Sequence, residues 1–123
     1  MKDNKKIVLV ISNELKHEGG VSNFYNTLFK NFSSKYFKLK HLKIGSRQYF
    51  FNKVIIKRLF YIFFYLFDLL KYIFKLTFDK KIKILQFNPS LIPLPLLRDG
   101  IFIIFNKLFF KKRTIIFFRG WKM

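Results

Sequence analysis

A few small groups of residues have the types and spacing to do chemistry. Gly19 and Gly20 stand directly before a stretch with helical spacing, so Val21, Ser22 and Asn23 would offer backbone N–H groups at a helix start. Glycine lets a ligand approach the backbone closely, and such N–H groups attract phosphate. The same pair also reads as an ordinary tight turn. It is neither a GxGxxG fingerprint nor a Walker lysine pattern. Asn88-Pro89-Ser90 could hydrogen-bond a polyol, though by itself such a stretch is more often a plain turn. Arg119 could hold an anion or a hydroxyl group, and Trp121 could stack on a sugar face or pack in a core. His17 shares a loop with Glu14 and Glu18, without a second carboxylate placed to pair with them. The six acidic residues are scattered, and no metal-ligand constellation emerges.

The elements that position these residues follow from the apolar pattern. Ile7–Ile11 is continuously apolar, as in a central parallel strand covered on both faces. Val21, Phe24, Tyr25, Leu28, Phe29 and Phe32 then recur at helical spacing. Phe37–Ile44 reads as a second strand whose alternation slips near His41, which places it nearer an edge. Asn52–Phe78 reads as an amphipathic helix, with Lys53, Lys57, Asp68, Lys71 and Lys75 on one face and Phe64 violating it. Ile82–Phe87 is a third strand. Pro93 and Pro95 suit entry to a helix whose stripe is Leu94, Leu97, Ile101, Ile104, Phe105, Leu108 and Phe109. Thr114–Phe118 is a fourth strand. The alternation predicts an α/β fold, a Rossmann-like parallel sheet with covering helices and strand order 2-1-3-4. Ligands of such sheets bind beyond the carboxyl ends of the strands where the order reverses. The loops there are 12–20 and 88–93, with Arg119 beside them.

Composition adds bounds. The chain has 123 residues, which suits one domain, and a formal net charge of +19, which favours anionic partners. The absence of cysteine excludes disulfides and thiolate metal sites and fits a reducing compartment. The 19 phenylalanines, with many Ile, Lys and Asn, point to an AT-rich genome. The basic start and the apolar run that ends at Ser12 mimic a signal peptide. That run is shorter than the roughly 7–15 apolar residues a signal core needs, so it reads as a strand. Three readings of Asn52–Phe78 stand open: packed on the sheet, lying in a membrane surface, or spanning a membrane.

Lys6–Phe32, KIVLVISNELKHEGGVSNFYNTLFKNF, and Ile82–Trp121, IKILQFNPSLIPLPLLRDGIFIIFNKLFFKKRTIIFFRGW, together resemble the N-terminal domain of GT-B glycosyltransferases of family 4. The first stretch resembles the strand, Gly-Gly loop and helix that open such enzymes. The second resembles their strand-NPS-helix-strand unit, with Leu96–Asp99 and the closing Phe-Arg-Gly-Trp. The resemblance implies two Rossmann-like domains facing a cleft, with a nucleotide-sugar as donor substrate and no cofactor. It implies that Gly19, Gly20, Val21 and Ser22 form a donor-phosphate loop and that Asn88, Ser90, Arg119 and Trp121 line the acceptor side. Relatives commonly carry histidine where Arg119 stands, so no catalytic residue is assigned.

On this reading residues 1–123 are a partial, acceptor-side domain, and the donor-binding domain lies outside the chain. The expected function is sugar transfer to a polysaccharide or lipid-linked glycan in the cytoplasm, at the inner face of an anionic membrane. The chain by itself is then expected to be inactive, with Thr114–Phe118 leaving an exposed, aggregation-prone edge. The alternative is a small cationic membrane-binding protein without catalysis, using Asn52–Phe78 and Gly100–Phe110. Nucleic acid is not expected as a partner, because no RNP, zinc or KH signature is present and the aromatics follow buried periodicity.

Overall fold

The computed structural model describes residues 4–12, 20–45, 54–89, 91 and 93–118. Strand β1 (Lys6–Ser12) leads to helix α1 (Gly20–Asn31), strand β2 (Phe37–Lys43), helix α2 (Val54–Phe78), strand β3 (Ile82–Phe87), helix α3 (Pro93–Phe105) and strand β4 (Arg113–Ile116). The four strands form one all-parallel sheet in the order β2-β1-β3-β4. The fold is therefore α/β and Rossmann-like, as the alternation of patterns predicts.

The central place of β1 follows from its residues. Leu9 and Val10 are fully buried, one on each face, which only a strand covered on both sides can achieve. Leu9 pairs with Lys40 of β2 on one side and with Leu85 of β3 on the other. One face of the sheet contributes Ile7, Leu9, Ile11, Leu42, Leu85 and Phe87 to a core shared with Tyr72 and Leu76 of α2 and Phe102 of α3. On the opposite face Gln86 of β3 donates its Nε2–H to the hydroxyl of Tyr25, the fully buried residue of α1, at 3.3 Å. So α2 and α3 cover one face and α1 the other, as right-handed crossovers in this strand order require.

Strand β2 is an edge strand, as its broken alternation implies. Strand β4 is shorter than expected and begins one residue earlier. Phe117 nonetheless still donates its N–H to the Phe87 carbonyl at 3.0 Å. The entry to β4 is pinned by Asn106. Its Nδ2 donates to the Lys112 carbonyl and Thr114 Oγ1 at 2.8 and 3.0 Å, and its Oδ1 accepts the Lys112 N–H at 3.1 Å. Here α3 widens into a π-type turn over Asn106–Phe110, which ends on Lys111 in the left-handed region at φ 52°.

Two helices are rotated relative to expectation. In α2 the buried residues are Asp68, Tyr72 and Leu76. Asp68, expected on the solvent face with the lysines, packs on the sheet, whereas Lys57 and Lys71 of that face stay exposed and Leu59, Phe63, Leu70 and Phe74 point outward. In α3 the buried stripe is Asp99, Phe102 and Asn106, whereas Leu97, Ile101, Ile104, Leu108 and Phe109 are exposed. Hydrogen bonding decides both rotations. Asp68 Oδ2 accepts the Gly45 N–H at 3.0 Å, and the Tyr72 hydroxyl donates to the Phe102 carbonyl at 3.1 Å. These polar groups are satisfied inside, so burying them lets α2, α3 and the sheet lock together. Lys53 and the side chain of Leu94 lie outside the described residues.

Candidate functional site

The carboxyl ends of β1 and β3 lie side by side at the point where strand order reverses. Helix α1 starts at Gly20, close to that end of the sheet by the sense of the chain. Gly20 is exposed, and a Cβ placed on it would meet nothing within 4 Å. Packing does not demand glycine there. Val21 is the second residue of α1, and Ser22, the third, is half-buried. No acidic residue occupies this first turn, so the positive end of the helix dipole is not offset from within the helix.

Asn88 follows β3 directly. Its Oδ1 is buried and has no hydrogen-bond partner among the described residues. A buried amide oxygen in that state loses the stabilisation of a hydrogen bond to water or protein. Gly19, Ser90, Arg119 and Trp121, together with the loop that holds Glu14, His17 and Glu18, lie outside the described residues. The fold thus brings Gly20, Val21 and Ser22 to the same end of the sheet as Asn88. The four remaining expected site residues are not placed.

Comparison with protein-family models, with curated proteins and with solved structures found no match.

Two polar arrangements escaped the sequence reading. Ser12 Oγ and His41 Nε2 share a hydrogen bond of 2.9 Å at the carboxyl ends of β1 and β2, and Phe29 of α1 sets its ring edge-on to His41 at 6.1 Å. Only the parallel register, which sets Val10 against His41, puts the two side by side. The second arrangement lies in the α2–α3 layer. Arg98 binds the Asp99 carboxylate through Nε and a terminal nitrogen, each at 2.9 Å. Burial pushes the Asp99 carboxyl above its usual range, and the Arg98 charge and hydrogen bond oppose that rise. The Tyr65 hydroxyl lies buried in the same layer. Burial raises its pKa, with Arg98 lowering it and Asp99 raising it. Neighbours in sequence, Arg98 and Asp99 entered the sequence reading only within the stretch Leu96–Asp99, and the rotation of α3 leaves both side chains largely covered.

A groove of about 980 Å³ runs along the flank of β2, between His41–Lys43 and the α2 residues Phe67, Leu70, Lys71, Phe74 and Lys75. It is apart from the switch point. Its walls are apolar with a lysine rim, which does not suit a polyol. Among the described residues, no group of three or more His, Asp or Glu side chains could hold a metal ion. No described helix, α2 included, is long and apolar enough to cross a membrane.

Proposed function

We propose that this chain is the acceptor-side domain of a nucleotide-sugar-dependent glycosyltransferase. One observation carries the reading: a β1–β3 switch point with Gly20 opening α1 at the same end of the sheet as Asn88, whose side-chain oxygen is buried without a described partner. In this reading the N–H groups of Gly20, Val21 and Ser22 approach the donor diphosphate, and Asn88 accepts a hydrogen bond from a sugar hydroxyl. Ser90, Arg119 and Trp121 complete the acceptor side. The donor is held mainly by a second Rossmann-like domain, and transfer requires both substrates in near-attack geometry. The sequence resemblance of the two ends supports the same reading.

The test is backbone amide NMR of the ¹⁵N-labelled chain titrated with UDP, GDP and ADP. Shifts concentrated at Gly20, Val21, Ser22 and Asn88 are expected, and Gly20→Ala is expected to reduce them while leaving the fold intact. Shifts spread evenly over the lysine-bearing segments, or none, would refute a phosphate site at the switch point.

A further inference from the structure

Two of the three described carboxylates are withdrawn from the surface, and the third, Asp79, is partly exposed at the groove beside β2. Asp68 and Asp99 are buried, and Asp79 Oδ2 holds the Lys40 ammonium at 3.0 Å. The described surface therefore presents the charge of its lysines and arginines. Against that background, α2 and α3 turn broad apolar arcs to solvent. Phe63 is 72% exposed, and Leu70 and Phe74 continue its row along α2. Leu97 and Ile104 do the same on α3, at 62% and 59%. Tyr65 and Tyr72 of α2 stack on Phe102 of α3 at 5.9 and 5.0 Å, so the helices are neighbours on one side of the sheet. Lys71 and Lys75 border the α2 arc and line the groove beside β2 with Lys43.

Shape and charge decide what fits this side. With 100° between successive residues, the exposed apolar residues from Ile62 round to Phe60 cover an arc of about 160°, wider than the two-position seam of a coiled coil. A second copy approaching through this face in an antiparallel pair would set lysine against lysine. Nucleic-acid surfaces interleave cations with stacking rings, whereas here the cations lie at the border and only Thr77 interrupts the apolar centre. A basic border around a wide apolar face is the pattern of a helix lying in a lipid interface.

We propose that the outward faces of α2 and α3 form a docking surface for an anionic lipid bilayer. Their apolar arcs enter the boundary between headgroups and acyl chains, and Lys43, Lys71 and Lys75 meet lipid phosphates. The assignment does not depend on sugar transfer.

The natural chain has no cysteine, so a single environment-sensitive fluorophore can be placed at Phe63→Cys on α2, or at Lys30→Cys on α1 across the sheet. The full chain is mixed with vesicles of phosphatidylcholine alone or with an equal part of phosphatidylglycerol. Anionic vesicles are expected to bind about tenfold tighter or more, given about fivefold for each lysine near the surface. The label at 63 shifts to the blue and is shielded from an aqueous quencher, while the label at 30 does not change. Phe63→Glu combined with Leu70→Glu abolishes the binding with helical circular dichroism retained. If that variant unfolds, the two labels still decide. Equal binding to neutral vesicles overturns the proposal, as does co-sedimentation with the label at 63 still in water. Burial of that label without vesicles in a stable dimer, or displacement from vesicles by polyuridylate with the label unshifted, does so too.

Discussion

Asp68 accepts the Gly45 N–H while only 2% of its surface meets water, and Gly45 itself sits in the left-handed region at φ 67°. The carboxylate thus fixes both the rotation of α2 and the backbone that leaves β2. Asp68→Ala strands that N–H and is expected to cost about 1–3 kcal/mol in urea unfolding, whereas Asp68→Asn keeps an acceptor and costs less. Asn106 is the second polar residue of this kind. It holds both hydrogen-bonding groups of Lys112, so Asn106→Ala is expected to destabilise by about 1–3 kcal/mol and to loosen β4 first in hydrogen exchange. Gly100 works the other way. A Cβ there meets nothing within 4 Å, so Gly100→Ala is expected to stabilise by about 0.4–1 kcal/mol. None of these roles is legible in the sequence. An aspartate at helical spacing with lysines looks like a solvated side chain until its partner, far away in the chain, is known. That α1 opens close to Gly20 and that Asn88 follows β3 was legible for the opposite reason. Their place depends on strand ends and a turn, which short-range chemistry writes directly.

Strands and helices differ in how much of them the apolar pattern determines. The continuous run Ile7–Ile11 admits one reading, a strand buried on both faces, and β3 is found at the residues expected. In α2 the apolar arc is wider than the surface the sheet can cover, so periodicity yields the helix but not its rotation. The polar minority then chooses: Asp68 and Tyr72 each find a buried partner, and Phe63, Leu70 and Phe74 are left outside. Tyr72→Phe tests this. It removes the hydroxyl that donates to the Phe102 carbonyl and is expected to cost about 1 kcal/mol, with the stack on Phe102 kept. Burial also holds the Tyr72 hydroxyl protonated far into alkaline solution, so that bond is insensitive to pH near neutrality.

On the scale of the whole molecule, the fold carries opposed acid responses at Asp79, after α2, and Asp99 of α3. Burial alone pushes the Asp79 carboxyl up, but the hydrogen bond and charge of Lys40, the Lys81 backbone N–H and Lys75 outweigh it and hold it below 3.8. Its stabilisation is complete above that value and is lost as pH falls through the depressed one. Asp99 is raised, so its contribution is fullest below 3.8 and declines as pH rises through the raised value. Lys40→Met is therefore expected to cost about 0.2–1 kcal/mol at neutral pH, with the difference from the natural chain vanishing in strong acid. Among the described residues no strand pairs with the outer side of β4, where Ile115 and Ile116 are about two-fifths exposed, and such an edge can take up another strand. The parallel register has a consequence for synthesis as well. Strand β1 leaves the ribosome before either strand that flanks it, yet Leu9 and Val10 complete their pairing only with Leu85 and Gln86. At about 5–20 residues per second, β1 waits several seconds for β3. The most apolar strand of the sheet thus waits for its neighbour, and a chaperone that binds nascent apolar segments would meet residues 7–11 before β3 exists.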